Sequence, residues 1–377
     1  MPRYVIDEKA LRRNLEVLKG VADRSGARIL LAQKAFSCAA TYQLCAKYLA
    51  GTTASSLFEA RHGHDCFGGE THVFAPAFAP GEMDAVLDVV DHIVFNSPRQ
   101  VALYGAKAKS RGVSVGLRVN PEVSVATTPA YDPCRPGSRL GVTRDALDSQ
   151  LHIAGFPSSI LSGLHFHCLC EQGLDELRKV LAGFEERFGD LLPKMEWVNF
   201  GGGHHITRDG YDVDGLVALI RDFRSRHPNL VVYLEPGEAI ALNAGTLEAR
   251  VLEIQPPGDD GISNAILDVS AACHMPDVLE MPYTPRVSGA AIGAVGPYAY
   301  RFGGPTCLAG DEIGVYGFDK PLQEGDLVEF EDMAIYTMVK NNTFNGLNLP
   351  DIVIRHVDGV EETVCTFGYA DFASRVG

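Results

Sequence analysis

The chain has 377 residues, long enough for two domains, and its 46% hydrophobic and 21% charged content is that of a globular protein with a sizeable core. Its net charge of −15, from 33 basic against 48 acidic residues, argues against nucleic acid or an anionic membrane surface as partner and is compatible with a cationic substrate. Nine cysteines without framework spacing, no run of ~18 apolar residues and no signal peptide at Met1-Pro2-Arg3-Tyr4 point to reduced thiols, no membrane span and a cytoplasmic location.

Arg3–Ile6 reads as a strand that stands apart from the barrel pattern downstream of it. An amphipathic helix is expected over Glu8–Ala22, and from there short aliphatic runs alternate with helical patterns. The runs are Arg28–Ala32, Thr52–Ser55, Thr71–Phe74, His92–Phe95, Ser114–Val119, Leu161–His167, Glu196–Phe200 and Leu230–Leu234. Helical periodicity fills Ala39–Tyr48, Gly81–Val90, Pro98–Lys109, Leu174–Phe188 and Asp214–Arg226. Eight strands interleaved with helices predict an α/β fold, a (β/α)8 TIM barrel over residues 8–240. A doubly wound open sheet is the competing reading, lowered by the lack of Gly-x-Gly-x-x-Gly after the first strand. After Pro236 the texture changes to strand-like segments between Gly, Pro and Asp turns: Thr246–Ile254, Asn264–Asp268, Glu312–Tyr316, Leu327–Phe330 and Ile352–His356. This predicts an all-β domain over 241–377, with residues 1–7 as its N-terminal strand.

In such a barrel the chemistry sits at the C-terminal ends of the strands. Those ends carry Lys34, Ser55, Arg118, His165, His167, Gly201-Gly202-Gly203 and Glu235-Pro236-Gly237-Glu238. A lysine closing an apolar run either reaches water or is a desolvated amine, which is nucleophilic and forms Schiff bases with aldehydes. Three glycines after a strand are either a plain turn or backbone N–H groups able to approach a phosphate. His167 is either a satisfied core histidine or a ring lying flat on an aromatic cofactor. Glu235 is either a capping carboxylate or the partner of a pyridine nitrogen. Together they favour an enzyme using pyridoxal 5′-phosphate. Metal readings fare worse: His62-x-His64-x-Cys66 and Cys168-x-Cys170 lack a second pair at zinc spacing, and His204-His205 cannot share one face of a strand, so no metal is expected.

Six ordered motifs resemble the fold type III pyridoxal-phosphate decarboxylases, the family of ornithine, diaminopimelate and carboxynorspermidine decarboxylases. They are Leu31-Ala32-Gln33-Lys34-Ala35, Gly163-Leu164-His165-Phe166-His167, Asn199-Phe200-Gly201-Gly202-Gly203, Glu235-Pro236-Gly237, Gly304-Pro305-Thr306-Cys307 and Met333-Ala334-Ile335-Tyr336-Thr337. The resemblance implies an alanine-racemase-like barrel with a β domain, and a head-to-tail homodimer with shared active sites. It implies cofactor contacts from Lys34, Ser55, Arg118, His167, Gly201, Gly202, Gly203, Glu235, Gly237 and Tyr336. Lys34, Glu235, His167 and the partner-donated Cys307 would be the catalytic set.

Ornithine and diaminopimelate decarboxylases follow Glu-Pro-Gly with an arginine that grips the phosphate; here Glu238 stands there. Leu308-Ala309-Gly310 separate Cys307 from Asp311, where those families carry an acid at once. Both features, with Cys273-His274-Met275-Pro276-Asp277, resemble the carboxynorspermidine branch. Its small-molecule substrate is a carboxylated polyamine, so Glu238, Asp277, His274 and Asp311 are expected to receive it. The activity implied is decarboxylation of carboxynorspermidine and carboxyspermidine in polyamine synthesis. Diaminopimelate decarboxylation is the alternative; a racemase would need an opposing tyrosine, and an inactive regulatory paralogue binding a protein partner would not need Lys34 and Cys307.

Overall fold

The computed structural model describes residues 1–126, 128–153 and 158–377. They form two compact units, Asn14–Ile240 and a second made of Met1–Arg13 with Ala241–Gly377. The division falls inside the first helix, Glu8–Ser25, rather than at its start. The helix begins under the control of the second unit: Ala10 N–H donates to Asp7 Oδ1 at 2.8 Å, and Glu8 Oε2 lies 2.7 Å from His356 Nδ1.

The first strand, β1 (Arg3–Asp7), belongs to the second unit. The Asn14–Ile240 unit is a closed parallel barrel of β2 (Arg28–Ala32), β3 (Gly51–Ala54), β4 (Glu70–Phe74), β5 (His92–Phe95), β6 (Ser114–Arg118), β7 (Gly163–His165), β8 (Trp197–Asn199) and β9 (Val231–Leu234). The ring closes where β9 pairs with β2 through Tyr233 opposite Arg28 and Leu234 opposite Ile29, which rules out the open sheet. Strands buried on both faces read as continuous aliphatic runs rather than alternating ones, as these do.

Inside the barrel Leu30, Val94, Trp197 and Tyr233 pack as one cluster. The indole of Trp197 lies where side chains of Gly116 and Gly163 would stand: a Cβ on either would come within 2.4 or 2.1 Å of its ring. Burying such an aromatic removes 150–250 Å² from water, worth on the order of 4–6 kcal/mol before entropy. Outside, the helix Leu174–Phe188 buries Leu174, Leu177, Val180, Leu181, Phe184 and Phe188, a single stripe at three- and four-residue spacing. Ser97 caps Pro98–Ser110 by accepting from Gln100 N–H at 3.3 Å, with Pro98 in the first turn. Two ten-residue helices of the barrel unit escaped the sequence reading, Leu57–Cys66 and Arg144–Ile153. The first has a broken apolar stripe, with only Ala60 and Gly63 buried, so its periodicity is faint.

The second unit is a nine-stranded sheet. Besides β1 it contains β10 (Gly245–Ile254), β11 (Ser263–Leu267), β12 (Ala291–Ile292), β13 (Tyr298–Gly303), β14 (Glu312–Phe318), β15 (Leu327–Glu331), β16 (Asp351–Arg355) and β17 (Glu361–Cys365). Their order is β12-β14-β13-β11-β10-β1-β16-β17, with β15 on β10. β1 is interior: antiparallel to β10 with Arg3 opposite Glu248, and parallel to β16 with Arg3 opposite Asp351. The closing helix Tyr369–Val376 was not anticipated, since none of its residues is buried. Among the described residues, no helix is long and apolar enough to cross a membrane.

Candidate active site

The C-terminal ends of the barrel strands surround an open cleft lined by Lys34, Ser55, Phe74, Arg118, His167 and Glu235 among others. Strand order thus brings together residues spread from Lys34 to Glu235 in sequence. The turn after β2 fixes Lys34: Ala32 N–H donates to the Pro236 carbonyl at 3.0 Å, and Ala35 N–H back to the Ala32 carbonyl at 3.1 Å. The lysine side chain is reachable from the cleft, yet the protein packed round it strips water from the ammonium. That desolvation, with Arg118 nearby, lowers its pKa; Glu235, Cys170 and Glu238 partly offset the effect.

Glu235 is 8% exposed and receives two donors, Asn199 Nδ2 at 2.7 Å and His165 Nε2 at 3.2 Å. Burial alone would raise its pKa; His165, His72 and Asn199 outweigh burial and hold the carboxyl down at about 2. His165 is itself kept neutral by burial, so the proton on Nε2 is donated and Nδ1 is left buried without a partner. Glu235 is therefore an ionised carboxylate with fixed orientation. Asn199 also accepts from Gly201 N–H at 2.8 Å, tying the carboxylate to the glycine loop. In the sequence Asn199 stands inside a motif with nothing to mark this role.

His167 Nδ1 accepts from Gly202 N–H at 3.0 Å, which puts its proton on Nε2. Burial, with Lys34 and Arg118 beside it, holds its pKa well below the usual imidazole range, so the ring is neutral. Arg118 Nη2 donates to the His167 carbonyl at 3.0 Å, and its guanidinium sits 4.5 Å over the Phe74 ring. Burial lowers Arg118 to about 10, which leaves it charged at neutral pH.

The glycines are required by space. Gly201 and Gly203 have φ of 70° and 86°, in the left-handed region. A Cβ on Gly202 would lie 2.0 Å from the Glu235 carbonyl oxygen. Gly237 is equally confined, with its Cβ 2.5 Å from that of Ala35. A nucleophilic amine, an ionised carboxylate, a flat neutral imidazole and a cradle without side chains suit an aromatic aldehyde bearing a basic ring nitrogen and a phosphate. That donor set fits pyridoxal 5′-phosphate.

Glu238 was expected to face a substrate amine. Its Oε2 lies 2.5 Å from Nε2 of His205, a pairing that spacing along the chain gave no reason to look for. Three further candidates lie in the sheet unit, each with partners of its own. Asp311, 4% exposed, accepts from Ser270 Oγ at 2.8 Å, Ala272 N–H at 3.1 Å and Thr306 Oγ1 at 2.6 Å. His274 accepts from Ser270 N–H at 3.2 Å and donates from Nε2 to the Asn348 carbonyl at 3.0 Å. Both hydrogen-bond to the loop around Ser270. Asp277 is already ion-paired with Lys340, which also pairs with Glu280. Tyr336 has φ of 51°, a strained backbone at the start of the helix Thr337–Lys340. Cys307 is exposed, and its N–H donates to Asn345 Oδ1 at 2.9 Å.

His62 and Cys66 share one face of their helix, 3.8 Å apart. At the opposite ends of β4 and β5, Glu70, His72 and His92 bring possible ligand atoms within 4.8 Å of one another. The two imidazoles stack at 4.0 Å and 7°, so their in-plane lone pairs run parallel instead of converging on an ion.

Residues 4–334 match the family described as "Pyridoxal-dependent decarboxylase, C-terminal sheet domain". The chain is 43% identical over 376 residues to a carboxyaminopropylagmatine decarboxylase of Synechocystis sp., covering 100% of this chain and 95% of that one. It is 40% identical over 385 residues to a carboxynorspermidine/carboxyspermidine decarboxylase of Campylobacter jejuni, covering 99% and 98%. The crystal structure of carboxynorspermidine decarboxylase from the same organism, complexed with norspermidine, superposes with a TM-score of 0.89 at 39% identity, covering 100% and 99%.

Proposed function

The chain belongs to the pyridoxal-dependent decarboxylase family, and we propose that within it the substrate is carboxynorspermidine, with carboxyspermidine accepted as well. The observation that carries this reading is 40% identity, end to end, to an enzyme named for those two compounds. The Synechocystis relative, at 43%, favours a second reading, carboxyaminopropylagmatine. The candidates share an α-amino acid head joined to a cationic tail. They differ in tail length and in ending on an amine or a guanidine.

Pyridoxal 5′-phosphate, when bound, draws off the electron pair left as carbon dioxide departs. Lys34 would hold the cofactor through its amine, and the lowered pKa keeps more of that amine unprotonated. Glu235 would face the ring nitrogen and accept a hydrogen bond from it, and its two donors prevent it from turning away. His167 offers a flat neutral face, its plane set by Gly202 N–H. Ser55 and Arg118 complete the wall of the cleft, and Gly201–Gly203 would cradle the phosphate. We assign Cys307 the return of a proton to Cα in the partner's site of a homodimer, which its exposure permits. Tyr336 and Gly237 join the cofactor contacts, and the enzyme works in the cytoplasm.

The test is carbon dioxide release from carboxynorspermidine, carboxyspermidine, carboxyaminopropylagmatine and meso-diaminopimelate at equal concentration. A kcat/KM at least tenfold higher for the first two supports the proposal. Preference for the guanidine substrate replaces it with the second reading, and preference for meso-diaminopimelate refutes both.

A further inference from the structure

Lys34 sits on a turn whose two ends are joined through one phenol. Gln33, fully buried, comes just before the lysine, and Ser37 follows it by three residues. The Tyr42 hydroxyl donates to Gln33 Oε1 at 3.0 Å and lies 3.0 Å from Ser37 Oγ. With its hydrogen given to the amide, the phenol accepts from the serine. Tyr42 is itself fully buried, and burial pushes its pKa up, so it keeps that hydrogen.

The other end of the amide reaches the neighbouring strand end. Gln33 Nε2 donates to the Glu59 carbonyl at 2.9 Å. Glu59 Oε2 in turn accepts from Ser55 N–H at 2.6 Å, and Glu59 N–H donates to Ser56 Oγ at 3.2 Å. Beyond the backbone bond from Gln33 N–H to the Thr53 carbonyl at 3.1 Å, the Gln33 side chain thus continues the connection between the ends of β2 and β3. The helix Leu57–Cys66 comes close enough because residue 63 is glycine: a Cβ there would lie 2.9 Å from Gln33 Nε2 and 2.3 Å from Thr52 Oγ1. Lys34 and Ser55 line the cleft, while Gln33 and Tyr42 lie behind its wall. An apolar side chain of the same length would fill that space without the desolvation of an amide and a phenol. What the polar link adds is direction, since hydrogen bonds fix an angle and a distance where apolar contact does not.

Direction matters for this lysine. In each turnover the substrate's α-amine takes the aldehyde carbon from Lys34, and Lys34 recovers it as product leaves. One amine replaces another at one carbon, a proton passes between the two nitrogens, and nothing is oxidised. Between those events the amine is free on its four-carbon stem, so the place at which its backbone is held governs how fast it finds that carbon again.

We propose that Gln33 and Tyr42 are positioning residues for Lys34: the phenol closes the turn that carries it, and the amide sets that turn against the Ser55 wall. The proposal rests on the assignment of Lys34 to the cofactor's aldehyde and not on which polyamine is the substrate.

The test uses full-length, cofactor-stripped protein. Covalent capture of pyridoxal 5′-phosphate is followed by borohydride trapping at timed intervals with peptide mass mapping. Non-covalent binding is followed by fluorescence titration with pyridoxine 5′-phosphate, which carries an alcohol in place of the aldehyde. Gln33→Met, similar in length and apolar, should slow capture at Lys34 by about 10–10²-fold, with affinity for pyridoxine 5′-phosphate within about threefold of the parent. Tyr42→Phe should slow capture with the same selectivity. The double variant should be within about threefold of Gln33→Met, because both changes act through one amide. Capture at the parental rate in Gln33→Met overturns the proposal, as does an equal loss for both ligands, the mark of general damage to the barrel mouth. Losses that multiply in the double variant overturn the shared link. Lys34→Ala checks the premise separately: cofactor still trapped at the parental rate, on another lysine, means that Lys34 is not the amine, and premise and proposal fall together.

Discussion

Replacing Glu235 by glutamine tests the proposed site where its electrostatics are best defined. His165, His72 and Asn199 hold the carboxyl below its ordinary range against the effect of burial, so its surroundings favour the ionised form. Asn199 and His165 both donate to it, so the site offers two hydrogens and no acceptor. A glutamine oxygen can take one; its NH₂ group would then face the other donor. The conflict is relieved if the His165 proton moves to Nδ1, but that atom is buried without a partner, and leaving a donor unsatisfied there costs about 1–3 kcal/mol. A loss of that size lowers the melting temperature of a barrel this long by roughly 2–4 °C per kcal/mol. Activity should fall far more, by about 10²–10³ in kcat, the usual effect of losing one preorganised group at a developing charge. The assay is carbon dioxide release under saturating cofactor, alongside a thermal melt of the same preparation. A kcat within threefold of the parent, with cofactor still bound, would refute the assignment of Glu235 to the ring nitrogen.

Three other outcomes are expected from the same structure. Gly202→Ala places a methyl 2.0 Å from the Glu235 carbonyl, and displacing that backbone should cost about 1–3 kcal/mol and weaken the cofactor at least tenfold; an unchanged dissociation constant would mean the cradle lies elsewhere. Burial holds His92 at about 3, and His204 and His274 at about 4, so they stay neutral when folded but charge near pH 6.5 when unfolded. Stability therefore falls as pH drops from 6.5 towards 4, by about 2 kcal/mol per histidine at pH 5, and a urea midpoint constant over that window would contradict it. Cys307→Ala and Lys34→Ala should each be inactive alone; mixed and re-associated, they should regain activity if sites are shared between subunits, and mixtures that stay inactive would argue against the shared site.

Much of the barrel was legible because its strands are buried on both faces and its helices on one. Leu174–Phe188 and His92–Phe95 carry their boundaries in the residues themselves. The strand ends then gave Lys34, Arg118, His167 and Glu235 as one group around the cleft, because parallel strands in a closed barrel all end on the same side. Less was visible where a residue's role depends on a distant partner. Glu238, Asp277, His274 and Asp311 read as free acids and a free base, and only folding shows His205, Lys340, Asn348 and Ser270 already attached to them. The short strand β12 and the exposed closing helix bury too little to leave a pattern.

The interior place of β1 in the sheet also sets an order of events during synthesis. Its neighbours β10 and β16 lie about 240 and 350 residues downstream, so Arg3–Asp7 leaves the ribosome long before either edge it needs exists. At 5–20 residues per second the first partner arrives after roughly 12–50 s, by which time every strand of the barrel has been made. Through that interval an apolar strand, Tyr4-Val5-Ile6, has unpaired backbone on both sides and is open to pairing with another chain. The barrel can mature early; the sheet cannot, and a nascent-chain chaperone would find its target in the first seven residues.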